Sequence, residues 1–315
     1  MLKFTNTSML DIITSLENKL KTLQAKDIVT FEVLNPDLCS STYAGNIVTL
    51  DDEEYIYRGY NSWTDLAHQL HCKMLTPLIS TQNTILLRFE LLNSDDSFHK
   101  QILNKEEKYG SESIFSQIEK NEEPGFIYYY RQALKNASLD KRLRILNLGV
   151  NSGDEFDVII KESKNFSHLE LVGIDYCQSA IAEAKEKFSD YTNITFVQYD
   201  INNLKELQLD KFDLIISIGT LQSSNLEFNK LLMSLVQNQL KRNGAMILGF
   251  PNCRWIDGEM VYGARVKNYS FSELGLLYKD AIFAKKYLQQ KKFRVTLTGK
   301  DYIFLTGTSI NVQHL

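Results

Sequence analysis

The second half of the chain alternates short apolar runs with segments of helical pattern. From residue 142 the runs are "RLRILNL", "HLELVGID", "NITFVQYD", "FDLIISIG" and "AMILGFP". Strands that are apolar throughout and separated by helices form a parallel sheet covered on both faces. The last two runs, "FRVTLTG" and "DYIFLTGTSI", lie too close together for a helical crossover and predict an antiparallel hairpin. We therefore predict an α/β fold with a doubly wound, Rossmann-like seven-stranded sheet and an antiparallel last hairpin.

The first half has a different pattern and a different charge. Residues 9–25 and "NSWTDLAHQLHCKML" are of helical type, whereas "DIVTFEVL", "GNIVTLDDEEYIYR" and "NTILLRFELL" have strand character. The polar segment 94–113 is the predicted connection. Residues 1–140 carry 13 Lys and Arg against 20 Asp and Glu, and residues 141–315 carry 22 against 19. We predict a smaller accessory α+β domain over 1–110, a linker and covering helix over 111–141, and the sheet domain over 142–315.

The composition excludes several classes of protein. With 43% hydrophobic residues and a net charge of −4, the chain can bury a core and is neither disordered nor a polycation. Its four cysteines form no CxxC pair, which predicts free thiols in a reducing, cytoplasmic setting. Apolar stretches of about 18 residues and signal-peptide features are absent from the sequence, so we expect no membrane association.

A glycine turn, "RILNLGVNSGDEF", follows the first strand of the predicted sheet. Ligands of open α/β sheets bind beyond the carboxyl ends of the strands. Gly149 and Gly153 would let the backbone approach such a ligand, and Asn151 is a residue type that tolerates positive φ. This loop is the predicted centre of the binding site.

Three acidic residues, Asp154, Glu155 and Asp157, occupy the first helical turn after this loop. A dinucleotide would place its pyrophosphate there. At a separation of about 5 Å each carboxylate would repel a phosphate by about 1 kcal/mol. These acids favour a ligand without phosphate, and S-adenosylmethionine, with its adenosine, sulfonium and amino-acid tail, is such a ligand.

Two more acids stand at strand ends. Asp175 lies 22 residues after Gly153, where it can accept hydrogen bonds from both ribose hydroxyls. Asp200 ends the third run and can accept a hydrogen bond from the adenine amino group. The alternative is that each carboxylate caps the helix that follows it.

Residues 142–308 resemble the class I S-adenosylmethionine-dependent methyltransferases. The motif "NLGVNSG", the two strand-end acids and the antiparallel seventh strand carry the resemblance, which implies a methyltransferase with S-adenosyl-L-methionine as cofactor. Asn147 replaces the family's usual acid, and its amide oxygen can accept the same hydrogen bond without the charge, which implies weaker binding. The implied cofactor-binding residues are Asn147, Gly149, Asn151, Gly153, Asp175, Tyr176, Asp200, Ile201, Ile218 and Gly219.

The methyl acceptor is less constrained. The segment "SIGTLQSS" after the fourth strand lacks the Asn-Pro-Pro-Tyr type of signature used on DNA bases, which leaves small-molecule, protein or RNA acceptors and no DNA. A long insertion, "PNCRWIDGEMVYGARVKNYSF", follows the fifth strand and is either the acceptor site or a surface loop whose Trp255 fills the domain junction. Asp257 and Tyr262 are the candidate proton acceptors. The predicted substrate-binding residues are Asn252, Arg254, Trp255 and Glu259, with Arg265 beside them.

Three other segments have competing interpretations. The basic run 279–300, with Phe283, Tyr287 and Phe293, fits either an RNA surface or the solvated face of a helix. The histidines and cysteine of "HQLHC" are expected to pack rather than to bind a metal. The predicted helix in "EEPGFIYYYRQAL" either touches the cofactor or packs on the sheet.

Two functions from different classes remain. The ordered motif predicts a methyltransferase acting on a small molecule or RNA. This is the leading hypothesis. The neutral Asn147 and the missing central glycine motivate the alternative, a catalytically silent methyltransferase-like module that binds or scaffolds. The sequence does not assign an oligomeric state.

Overall fold

The computed structural model describes residues 1–96, 110, 112–223, 225–263 and 273–310, without the side chain of Leu276. Most of the predicted connection 94–113 lies outside the described residues. The chain forms two compact units, Met1–Lys100 with Trp255–Val261, and Gln101–Arg254 with Tyr262–Leu315. No helix in the described part of the chain is long and apolar enough to cross a membrane.

The first unit is a small α+β structure, as predicted. Its elements are β1 (Leu2–Lys3), α1 (Met9–Leu20), β2 (Ile28–Leu34), β3 (Ile47–Leu50), β4 (Glu53–Ile56), α2 (Tyr60–Gln69), β5 (Cys72–Ile79) and β6 (Thr84–Leu91). The four-stranded sheet has the order β1-β2-β6-β5, and β3 pairs with β4 in a separate hairpin. Ile12 and Leu16 of α1 are buried with Trp63 of α2 against the ring of Phe31.

Two sequence predictions in this unit need correction. The stretch "GNIVTLDDEEYIYR" is not one strand, because Asp51 and Asp52 adopt φ of 48° and 61° and turn the chain into a hairpin. The predicted helix does not continue through Cys72. It ends at Gln69, His71 has a φ of 56°, and Cys72 pairs with Leu91 in the sheet. His68, His71 and Cys72 therefore do not share a helix.

The second unit contains the predicted doubly wound sheet. Its elements are α3 (Pro124–Asn136), β7 (Arg144–Leu148), α4 (Asp154–Glu162), β8 (Glu170–Asp175), α5 (Gln178–Lys187), β9 (Ile194–Gln198), β10 (Phe212–Ile218), α6 (Phe228–Ser234), β11 (Leu240–Pro251), α7 (Leu274–Gln290), β14 (Phe293–Gly299) and β15 (Tyr302–Ser309). A hairpin of β12 (Cys253–Ile256) and β13 (Glu259–Tyr262) follows β11 and is divided between the two units. Seven strands form one sheet in the order β14-β15-β11-β10-β7-β8-β9. β15 is antiparallel to β11 and to β14, so the predicted fold and its last hairpin are confirmed.

The covering helix α3 begins at Pro124, as predicted. Phe126 and Tyr130 are buried, with the ring centroid of Phe126 5.1 Å from that of Tyr302 and the Tyr130 ring 5.9 Å from that of Phe304. Of the two interpretations offered for these aromatic residues, the structure shows packing on the sheet.

The division into units differs from the predicted ranges at the hairpin of β12 and β13. Its residues Ile256 and Val261 pack with Leu92 in the first unit, whereas the prediction kept all residues after 142 in the second domain. Hydrophobic periodicity gives the type of an element and carries no information about which distant residues it will touch.

The four cysteines form no disulfide and lie in different surroundings. Burial raises the pKa of Cys72 and of Cys253 to about 12, Cys177 is buried, and Cys39 is partly exposed. Because the thiolate is the reactive form, we expect one thiol of the native protein to react rapidly with an aromatic disulfide reagent near neutral pH. Cys39→Ser should remove that fast phase, and fast reaction of a second thiol would contradict the burial described.

Candidate functional site

The carboxyl ends of four parallel strands, β10, β7, β8 and β9, meet at one edge of the sheet. The turns that follow these ends are joined by backbone hydrogen bonds. The amide of Gly149 donates to the carbonyl of Ile174 over 2.8 Å, and the amide of Tyr199 donates to the carbonyl of Asp175 over 2.8 Å. The structure thus brings together the predicted cofactor residues that were far apart in sequence.

The glycine turn has the backbone conformation that the sequence predicted. Gly149, Asn151 and Gly153 have φ of 75°, 48° and 91°, so Asn151 adopts the positive φ that its residue type tolerates. A Cβ on Gly149 would overlap the Thr220 side chain, and one on Gly153 would lie 2.5 Å from the ring of Phe188. Neighbouring protein atoms thus leave no room for a side chain at either glycine. From the sequence, these glycines were explained only by the approach of a ligand.

Asp175 links the end of β8 to this turn. Its Oδ2 accepts the amide of Asn151 and its Oδ1 accepts the amide of Cys177, both over 3.0 Å. Burial raises the pKa of Asp175, although these amides and the charge of Lys120 oppose the shift. A carboxylate has about four acceptor positions, so its two oxygens can still accept hydrogen bonds from a ligand.

Asp200 caps the short helical segment Ile201–Leu207, which is the alternative role considered for this carboxylate. Its Oδ1 accepts the amide of Asn202 over 2.9 Å and the Asn202 side-chain amide over 3.0 Å. Ile201 is buried behind it, whereas Tyr176, next to Asp175, is 47% exposed. The capping hydrogen bonds engage one oxygen and do not conflict with a second role for the other.

A buried ionic cluster lies beside the glycine turn, at the start of α4. The Nζ of Lys120 is 3.1 Å from Oε1 of Glu155 and 3.8 Å from Oδ2 of Asp154. Asn147 donates from Nδ2 to Oε2 of Glu155 over 3.2 Å. Burial alone would lower the pKa of Lys120, but the two carboxylates raise it, so the side chain is charged. We call Asn147, Lys120 and Glu155 the buried triad.

The acids after Gly153 are compensated by cations, which the sequence argument did not foresee. Lys187 lies 2.6 Å from Asp157 and 3.5 Å from Asp154, and Lys120 pairs with Glu155. The predicted repulsion of a phosphate at this helix start is therefore weaker than three unpaired carboxylates would give.

Sequence reasoning missed the role of Lys120. It precedes α3 in a segment without hydrophobic periodicity, and it reaches α4 because Asn121 donates to the carbonyl of Asp154 over 2.9 Å. Glu155 was noted only as a helix-start acid. Its position, 8 residues after Asn147, places it against the strand end once the glycine turn reverses the chain.

Asp257, a predicted proton acceptor, is engaged within the first unit. Its Oδ1 lies 2.6 Å from Nζ of Lys26, and its Oδ2 accepts the amide of Asn93 over 2.9 Å. Although burial opposes the shift, these two partners lower the pKa of Asp257. A general base works best with a pKa near the operating pH. The contacts are those of a structural ion pair, and the proposed catalytic role stays a prediction.

The other predicted acceptor residues are divided between the units. Trp255 and Glu259 belong to the first, where Glu259 pairs with Lys73. Asn252 is buried in the second unit and donates from Nδ2 to the carbonyl of Lys300 over 3.2 Å. Arg254 donates to the Gly263 carbonyl, Tyr262 is 40% exposed, and Arg265 lies outside the described residues.

The basic run does not have the aromatic face that an RNA surface would use. Tyr287 and Phe293 are buried in the core of the second unit, and Phe283 stacks on Tyr287 with ring centroids 6.2 Å apart. The aromatic residues that suggested base stacking are core residues, which supports the interpretation as the solvated face of a helix.

Comparison with known proteins identifies the second unit. Residues 139–294 match the family model described as a methyltransferase domain. This part of the chain is similar to a methyltransferase domain and has the fold of the class I S-adenosylmethionine-dependent methyltransferases, whose cofactor is S-adenosyl-L-methionine.

The relatives match only part of this chain. A carboxy-S-adenosyl-L-methionine synthase of Helicobacter pylori (strain HPAG1) is 25% identical over 157 residues, covering 48% of this chain and 63% of that protein. The chain thus spans about 63% of the length of this curated relative. A crystal structure of an S-adenosylmethionine-dependent methyltransferase from Aquifex aeolicus is 16% identical, with a TM-score of 0.44, covering 61% of this chain and 96% of that chain.

Replacement of Asp257 by Asn tests its structural use. Asn tolerates the φ of 54° at this position, so the change isolates the charge. Because the folded state lowers the pKa of Asp257, the ionised carboxylate stabilises the fold at neutral pH, and this contribution is lost as pH falls through that pKa. Lys26 is more than half exposed, so we expect a loss of about 1 kcal/mol at pH 7.

Denaturant unfolding of both proteins from pH 7 down to about pH 3 gives the measurement. Asp65→Asn, at an exposed position of α2, is the control and should unfold like the wild type. Unchanged stability of Asp257→Asn at pH 7, together with lost methyl transfer, would contradict the structural assignment and favour the catalytic one.

Proposed function

We propose that the protein is a methyltransferase that transfers a methyl group from S-adenosyl-L-methionine to a small-molecule or RNA acceptor. The observation that carries the proposal is the contact between the glycine turn and the end of β8. There, one carboxylate, Asp175, is held by the amides of Asn151 and Cys177 at the edge where the strands end.

The residues present fit this cofactor. Oδ1 of Asn147 is buried without a hydrogen-bond partner among the described residues, and it is an acceptor for an ammonium group. Asp175 would accept the ribose hydroxyls, with the exposed ring of Tyr176 next to it, and Asp200 retains an oxygen for the adenine amino group. The backbone of the turn of Gly149, Asn151 and Gly153 would also contact the cofactor, and the buried Ile201 and Ile218 and the adjacent Gly219 complete the proposed set.

Methyl transfer requires few specialised groups from the protein. The bound cofactor supplies an activated methyl group on its sulfonium. The protein has to hold the acceptor in line with that carbon, exclude water and, where needed, accept a proton. For these roles we propose Asn252, Arg254, Trp255 and Glu259 as acceptor-binding residues. Tyr262 is the first candidate for the proton, since Asp257 is held in an ion pair.

Ligand-dependent thermal unfolding tests the proposal. At 100 times its dissociation constant a ligand stabilises the fold by about 2.7 kcal/mol, which raises the unfolding midpoint by a few degrees. We expect this shift with S-adenosylmethionine and S-adenosylhomocysteine, no shift with NAD or ATP, and its loss in Asp175→Ala. Asp190→Ala, at an exposed position beyond α5, is the matched control. No shift with any ligand would favour the alternative of a silent binding module.

The relatives favour a second candidate, in which the cofactor itself is the product. Six of the matching curated proteins are named carboxy-S-adenosyl-L-methionine synthase. Mass spectrometry of the ligand that co-purifies with the native protein separates the two. A methyltransferase should retain S-adenosylmethionine or S-adenosylhomocysteine, and a synthase should retain a form heavier by one carboxyl group.

A further inference from the structure

We propose that the buried triad recognises the amino-acid end of the cofactor, with Glu155 supplying the charge opposite the ammonium and Lys120 the charge opposite the carboxylate. This inference rests on the proposed function. Both charges come from side chains outside the motif "NLGVNSG". Glu155 takes the place of the acid that is usual at the position of Asn147.

The side chain of Glu155 is next to the neutral motif position. It is 1% exposed, and its Oε2 lies 3.2 Å from Nδ2 of Asn147. This hydrogen bond fixes the amide of Asn147, so that Nδ2 faces Glu155 and Oδ1 is left without a partner. An ammonium that donates to Oδ1 would satisfy the buried acceptor and would lie close to the carboxylate of Glu155.

Lys120 provides the opposite charge at the same place. It is 8% exposed, and its ammonium reaches Glu155 and Asp154 and also feels the charge of Asp175. An ammonium has three donors. Glu155 accepts one of them over 3.1 Å, whereas Asp154, at 3.8 Å, is close enough for an ion pair and too far for a hydrogen bond. Lys120 therefore keeps donors for a ligand carboxylate.

Packing alone does not account for such a pair. A buried ion pair rarely stabilises a fold more than apolar residues of the same volume would, because both charges lose their hydration. An ion pair complements a zwitterion, because the ammonium of the ligand can face the carboxylate of the protein and the carboxylate of the ligand can face the ammonium of the protein. An anionic ligand would attract Lys120 and be repelled by Glu155, and an aliphatic ligand would complement neither charge.

Calorimetric titration of the full chain with two ligands isolates this subsite. S-adenosylhomocysteine and 5′-methylthioadenosine share the nucleoside and the thioether, and only the first has the amino-acid end. The wild type should prefer S-adenosylhomocysteine. Lys120→Met and Glu155→Gln should each weaken its binding about tenfold or more and change the binding of 5′-methylthioadenosine by less than about twofold.

Glu162→Gln is the matched control, because it removes an exposed ion pair with Arg131 from the same helix, α4. It should bind both ligands like the wild type. If a single variant does not fold, Lys120→Met combined with Glu155→Gln removes both charges together and should show the same selective loss.

The outcomes separate this inference from the proposed function. Equal affinity of the wild type for both ligands, or an equal loss of both in the variants, would overturn the role of the triad and leave the nucleoside site intact. Binding of neither ligand by the wild type would overturn the proposed function and this inference with it.

Discussion

The second unit is organised by the alignment of its parallel strands. β7 and β8 stay in register from Arg144 with Glu170 to Leu148 with Ile174, so the turn that leaves β7 lies beside the last residue of β8. The hydrogen bond from Asn151 to Asp175 depends on this register, because a shift of one residue would reverse the face of every side chain. The whole candidate cofactor site is built on that adjacency.

The covering helix connects the sheet to the charges of the site. Phe126 packs on Tyr302 of β15, and Tyr130 donates a hydrogen bond to the carbonyl of Glu155 over 3.4 Å. The turn before the helix carries Lys120 into the start of α4. The turn and the helix therefore close the sheet on one side and fix a buried cation next to the strand ends, and the negative charge beside the neutral Asn147 is that of Glu155.

The insertion after β11 is used differently from what its length and polarity indicated. Long polar loops beyond strand ends commonly build substrate sites. Here its central residues Trp255–Val261 are part of the first unit, with Asp257 on Lys26 and Glu259 on Lys73. The loop therefore has a structural use in addition to any contact that Asn252, Arg254 and Tyr262 make with an acceptor.

The sequence by itself determined the local features. The apolar runs specified the seven strands, Pro124 specified the start of α3, and Asn151 specified the left-handed turn, because these depend on side-chain periodicity and on the conformational limits of single residues. The end of α2 was missed because the residues up to Cys72 keep a helical pattern, and pairing with Leu91 overrides it.

Only the tertiary structure decided which distant residues meet. Lys120 lies 35 residues before Glu155, and Lys26 lies 231 residues before Asp257. Such pairs have no periodic signature, since they depend on how packed elements place two side chains in space. The same limit explains why Gly149, Asp175 and Asp200 indicated a candidate cofactor edge from the sequence, whereas the partners of the acids after Gly153 emerged only from the fold.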